Sequence, residues 1–88
     1  MATVTITADT PNAQTLAAGW YAVELETPLL KDERVRIGSA SGRGFYTFDN
    51  ATSVEDTRVR LYLTGDGDTI FSPRNTTADV LIQVNAIE

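Results

Sequence analysis

Apolar and polar residues alternate along several short segments of this chain, and this period of two constrains the fold more than any other feature. In residues 20–27, Tyr21, Val23 and Leu25 fall on one side and mostly polar residues on the other. Successive side chains of a strand point to opposite faces, so such a segment is predicted to be a strand with one buried face. The remaining predicted strands are residues 2–8, 14–18, 34–37, 43–49, 57–64, 69–71 and 79–87.

Turn-forming residues separate the predicted strands at about the 8–12-residue spacing that is typical of β-sandwiches and barrels. The Gly65-Asp66-Gly67-Asp68 sequence predicts a hairpin, and residues 72–75 predict a turn around a proline. Residues 29–33 are predicted to form one helical turn or a loop, too short to be a stable helix. The chain is therefore predicted to be a single all-β domain, residues 1–88, built as a small sandwich or barrel of about seven short, mainly antiparallel strands.

Two missing residue types exclude most catalytic chemistry. The sequence contains no histidine and no cysteine. A Ser-His-Asp or Cys-His site is therefore impossible, and zinc lacks its preferred ligands. No motif surrounds the acidic residues that would mark a carboxylate pair as catalytic. We expect a non-enzymatic protein with no catalytic residues, no bound metal and no cofactor.

Asp66 and Asp68 resemble the start of a calcium loop, because hard cations prefer clustered oxygen ligands. Residues 69–77 contain no further acid to complete such a loop. A turn is the favoured interpretation, and calcium binding stays a minor alternative.

The net charge of −5 argues against nucleic-acid binding through phosphate contacts. No stretch approaches the roughly 18 apolar residues of a membrane span, and the first residues lack the pattern of a signal peptide. We therefore expect neither a nucleic-acid partner nor a membrane partner.

Strand parity places several large apolar side chains on faces opposite the predicted core, more than a small monomer needs. These candidate interface residues are Trp20, Phe45, Tyr62, Leu81 and Ile87. The same outer faces carry Glu24 and Glu26, which could meet arginines: Arg34, Arg36, Arg58 or Arg60. Such pairs would form a cross-strand ladder within one chain, which is the favoured interpretation, or would set the register between chains.

Several features together resemble small virion structural proteins of tailed bacteriophages, of the capsid decoration (cement) or head-fibre type. They are the Met1-Ala2 start into a threonine-rich strand, the segment from Gly19 to Leu25, the lack of cysteine and histidine, and the compact acidic all-β chain. The resemblance implies a homo-oligomer, with a trimer favoured, seated on a capsid protein in the virion. Outside a virion, we expect a cytoplasmic protein. No functional residue is carried over from the resemblance.

A second interpretation is a small β-sandwich binding module for a carbohydrate or a protein partner. Trp20 or Tyr62 would then form an aromatic platform for the ligand.

Overall fold

A computed structural model describes residues 2–50, 57–65 and 67–87, and within these the chain forms eight strands and no α-helix. The strands are β1 (Ala2–Ile6), β2 (Asn12–Gln14), β3 (Gly19–Leu25), β4 (Arg34–Ser39), β5 (Gly44–Asp49), β6 (Arg58–Leu63), β7 (Thr69–Arg74) and β8 (Val80–Ala86).

The described strands pair into two four-stranded antiparallel sheets. The strand order is β1-β8-β3-β6 in the first sheet and β2-β7-β4-β5 in the second sheet. The prediction of an all-β fold is confirmed, and of its two forms the chain adopts the sandwich. The pairs β1·β8, β2·β7, β3·β6 and β4·β5 nest inside one another, as in a long hairpin rolled into two layers. This nested order is that of an eight-stranded jelly roll.

The core lies between the two sheets and is built from the inward side of each strand. In the first sheet, Tyr21, Val23 and Leu25 of β3 are buried as the alternation predicted, and the same alternation buries Val4 and Ile6 of β1 and Val80, Ile82 and Val84 of β8. Val59 and Leu61 of β6 are half-buried and pack against the core. In the part of the chain that the structure describes, the largest fully buried side chains are Phe48, Phe71, Ile6, Ile37, Leu63, Ile82 and Val35.

Two strands of the second sheet differ from the sequence prediction. β2 occupies Asn12–Gln14 instead of residues 14–18, because its partner is the start of β7. β7 continues to Arg74, so the turn predicted at residues 72–75 is wrong. Pro73 is tolerated because β2 pairs only with residues 69–71 of β7. Among the described strands, residues 72–74 therefore form an edge on the β2 side, where proline is allowed.

The Gly65-Asp66-Gly67-Asp68 sequence does not form the predicted hairpin, because β6 and β7 belong to different sheets. It belongs to the linker between β6 and β7, of which Asp66 lies outside the described residues. Gly65 has φ +70°, and a Cβ there would lie 2.7 Å from the backbone nitrogen of Ala18. The linker is therefore in close contact with the segment that precedes β3.

Phe45 was expected on an outer face, and this prediction is wrong. Ile37 pairs with Tyr46 and Gly38 pairs with Gly44, which leaves Phe45 as the extra residue of a β-bulge. A bulge interrupts the alternation of side chains, so parity fails at this residue. Phe45 is half-buried and packs against the core.

The segment between β3 and β4 is a loop. Leu29 is buried while Leu30 is exposed. Glu33 is buried, and its carboxylate accepts hydrogen bonds from the Leu30 N–H (2.5 Å) and the Thr77 N–H (3.3 Å). The carboxylate thus joins this loop to the one before β8.

Candidate interaction surface

Three of the predicted outward apolar residues come together on the outer face of the first sheet. Trp20 on β3 lies directly opposite Tyr62 on β6, and their rings meet edge to face with centroids 5.5 Å apart. The N–H of Ile87, just beyond β8, donates a hydrogen bond to the carbonyl oxygen of Trp20 (2.9 Å). Ile87 therefore lies beside Trp20 on the side away from Tyr62. We call these three residues the Trp20 patch.

The Trp20 patch is open to solvent in the single chain. Trp20 is 55% exposed, Tyr62 50% and Ile87 39%. The patch exists because β3 lies between β6 and β8, which brings together side chains from three distant parts of the sequence. An aromatic pair of this kind leaves large apolar area exposed at one end of the sheet.

The remaining predicted apolar residue, Leu81, is also exposed but lies elsewhere. It is opposite Thr5 of β1, six positions before Ile87 in the sequence. At about 3.4 Å per residue it is roughly 20 Å from the patch. Sequence reasoning missed Leu30, which is 64% exposed. Its segment had no strand pattern from which an outward direction could be deduced.

The outer face also carries four of the six predicted charged residues, and one pair of the expected ladder forms. Glu24 and Arg58 are cross-strand partners, with the Arg58 Nε 3.2 Å from the Glu24 carboxylate. Glu26 instead accepts a hydrogen bond from the Gln83 side chain (3.1 Å), which also reaches the Thr3 hydroxyl (2.8 Å).

Arg34 and Arg36 cannot join this ladder, because β4 belongs to the second sheet. Arg60 lies opposite Ala22, between the ion pair and the Trp20 patch.

A depression of about 190 Å³ follows the patch along β3. It lies over Ala22, whose methyl group is much smaller than the neighbouring side chains. Arg60 of β6 and Asn85 of β8 flank it on either side. A hollow flanked by two polar side chains, Arg60 and Asn85, therefore lies beside the aromatic pair.

Around the Trp20 patch, the described charged residues of β3, of β6 and at the position after β3 are balanced, unlike the chain as a whole. Glu24 and Glu26 contribute two negative charges, and Arg58 and Arg60 contribute two positive charges, in a chain whose net charge is −5. Two copies of this acidic protein repel each other least when they approach through such a neutral face.

The candidate calcium site is described only in part. Asp66 lies outside the described residues. The Asp68 carboxylate accepts a hydrogen bond from the Thr15 hydroxyl (2.9 Å). Among residues 2–50, 57–65 and 67–87, no three acidic side chains gather into a metal-binding group. The described part of the chain also has no apolar helix of the length needed to cross a bilayer.

Comparison with known proteins identifies no relative of this chain. No family model, curated protein or solved structure gives a significant match to this chain.

Proposed function

We propose that this protein is a non-enzymatic structural protein that functions as a homo-oligomer, assembled through the Trp20 patch. The observation that carries the proposal is the exposed Trp20–Tyr62 pair with Ile87 beside it. Tryptophan and tyrosine are enriched among the residues that contribute most to protein interfaces. The setting proposed for this assembly is a phage virion, as a decoration or cement component on a capsid protein, in line with the sequence resemblance.

The small size of the domain supports assembly. A chain of 88 residues without cysteine has a stability of only about 4–13 kcal/mol on its own. Small domains without disulfides or metals often gain stability by oligomerisation. Burial of the Trp20 patch against another copy would supply that gain.

The occupant of the patch is a second copy of this chain, because the surrounding face is neutral while the chain is acidic. The resemblance favours a trimer as the assembled form. The jelly-roll architecture also serves viral capsid domains, which is compatible with the proposal but does not by itself assign a function.

Light scattering on a size-exclusion column, over a dilution series, tests the proposal. We expect the wild-type protein to run as a constant multiple of 9.6 kDa and the Trp20→Ser variant to run as a monomer. Leu30→Ser is the matched control, because Leu30 is as exposed as Trp20 but lies outside the patch. Circular dichroism checks that both variants are folded.

Fluorescence gives an independent readout, since Trp20 is the only tryptophan. In the assembled protein its emission should be shifted to the blue and protected from acrylamide. A wild-type monomer at every concentration, with Trp20 freely quenched, would contradict the proposal. So would an assembly that Leu30→Ser disrupts and Trp20→Ser does not.

A carbohydrate-binding module is the second candidate, favoured by the hollow over Ala22 beside the aromatic pair. A sugar ring stacked on Trp20 could reach Arg60 and Asn85. In that case the protein is a monomer, and oligosaccharides change the Trp20 emission. A glycan array without hits would exclude this form of the binding module.

A further inference from the structure

We propose that the outer face of the second sheet binds a small molecule carrying a phosphate or sulfate group, in a groove formed by Arg34, Arg36 and Arg74. The groove has a volume of about 500 Å³ and lies across β4 and β7. It is on the opposite side of the sandwich from the Trp20 patch, and the proposed assembly does not require it.

Strand pairing gathers these arginines. Arg34 of β4 lies directly opposite Arg74 of β7. Arg36, two residues further along the same face, lies between Ser72 on β7 and Thr47 on β5. Arginines from two distant parts of the sequence therefore line one groove, together with two hydroxyl groups.

The groove concentrates positive charge in an acidic protein. Three of the seven basic residues line it, and its lining of Arg34, Arg36, Thr47, Ser72, Pro73 and Arg74 includes none of the twelve acidic residues. Asp49 pairs with Arg34 from β5, at the margin of the groove. Like charges directly opposite on neighbouring strands destabilise a sheet. Asp49 offsets part of this charge from the β5 side of Arg34, and an anion bound between Arg34 and Arg74 would offset the charge that remains.

Arg36 has a defined position over the β4–β5 hairpin. Its guanidinium donates a hydrogen bond to the carbonyl oxygen of Gly42 (3.0 Å). It lies over Gly38 and Gly44, where an added Cβ would come within 2.7 Å and 3.1 Å of its nitrogens. The guanidinium is therefore directed along β4 away from Arg34 and Arg74, so the Arg34–Arg74 pair supplies the charge nearest to a bound anion and Arg36 borders the groove at its far end.

The chemistry of the groove selects a tetrahedral oxyanion. Guanidinium groups bind phosphate and related oxyanions through paired hydrogen bonds, and the Ser72 and Thr47 hydroxyls can donate further ones. A volume of about 500 Å³ is within the range of small-molecule sites, so the groove has room for an organic group beside the anion. The net charge of −5 opposes a long polyanion, which favours a small ligand such as a phosphorylated or sulfated sugar.

An NMR titration of the whole ¹⁵N-labelled chain tests the site. The probes are glucose 6-phosphate and glucose 6-sulfate, each compared with glucose and with sodium chloride at the same ionic strength. We expect saturable shifts of β4 and β7 amides with one or both esters. The ester that binds more tightly shows whether the groove prefers a phosphate or a sulfate group.

Arg74→Gln should weaken binding at least about tenfold, because it removes charge-assisted hydrogen bonds. Arg34→Gln is a second variant with the same expectation. Arg60→Gln, on the other sheet, is the control and should change binding less than about twofold, as long-range charge effects are small. The spectra themselves show whether each variant is folded.

Two results would overturn the site. One is a response to both esters no larger than the response to chloride or glucose. The other is an equal loss of binding in Arg60→Gln and Arg74→Gln, which would show that the affinity for the esters depends only on the overall charge of the protein.

Discussion

Replacement of Gly65 by alanine tests whether the linker between the sheets is packed as described. The backbone at Gly65 is left-handed (φ +70°), and a Cβ would lie 2.7 Å from the Ala18 nitrogen. Gly42 and Gly67 are matched controls with φ +98° and +101°. Among the described residues, a Cβ at Gly42 would meet nothing within 4 Å, and one at Gly67 would meet only the Ala40 Cβ at 3.5 Å.

Backbone strain and side-chain packing predict opposite rankings of the stability lost in these three variants. The left-handed region that alanine tolerates is centred near φ of about +57°, so backbone strain alone makes Gly65→Ala the mildest change. That strain costs about 1–3 kcal/mol at each position. The forced contact with Ala18 adds about 1–3 kcal/mol at Gly65 alone. The entropy that alanine removes from the unfolded chain is similar for all three variants and cancels in the comparison.

Urea denaturation, followed by circular dichroism, measures the free energy of unfolding of each variant. We expect Gly65→Ala to lose about 2–6 kcal/mol, more than either control, and to melt at least roughly 10 °C lower than the wild type. The three variants should share one m-value, since the surface exposed on unfolding is unchanged. If Gly65→Ala is the least destabilised of the three, backbone strain is the only penalty and the linker is not packed against Ala18.

Two further predictions concern polar contacts of β3. In a double-mutant cycle, the coupling energy between Glu24→Gln and Arg58→Gln should be less than about 1 kcal/mol and should disappear in high salt, because the ion pair is exposed. A larger coupling energy that does not depend on salt would contradict this. Tyr21→Phe should lower the free energy of unfolding by about 1 kcal/mol, because the Tyr21 hydroxyl donates to the carbonyl oxygen of Ala17 (2.8 Å). An unchanged denaturation midpoint would show that water replaces this hydrogen bond at no cost.

The elements that the sequence predicted well are those in which one strand face is buried. In β3, Tyr21, Val23 and Leu25 are buried, so local alternation is enough to give the strand and its direction. Alternation fails where long-range pairing decides the outcome. β7 extends past Pro73 because β4 pairs with it there, and Phe45 turns inward because of a bulge against β4. Neither partner strand can be inferred from the local sequence.

Local alternation is also insufficient to predict the Trp20 patch and the arginine groove. Parity alone predicted that Trp20, Tyr62 and Ile87 point outward, but their contact depends on the order β6-β3-β8. The arginine groove was missed altogether, because Arg34 and Arg74 become neighbours only when β4 pairs with β7. Sequence reasoning thus gives the direction of a side chain, while the topology determines its neighbours.

The position of β8 has a consequence for how the protein folds during synthesis. β8 lies between β1 and β3, so the first sheet cannot form until residues 80–86 have been made. Ribosomes add about 5–20 residues per second, so β3 waits roughly 3–11 s for its neighbour. During that time, β1 and β3 have unpaired backbone edges beside apolar side chains, a combination that favours aggregation. The nested pairing therefore makes the closing of the first sheet a late event, and until then the unpaired edges of β1 and β3 are exposed to other chains being synthesised on the same messenger RNA.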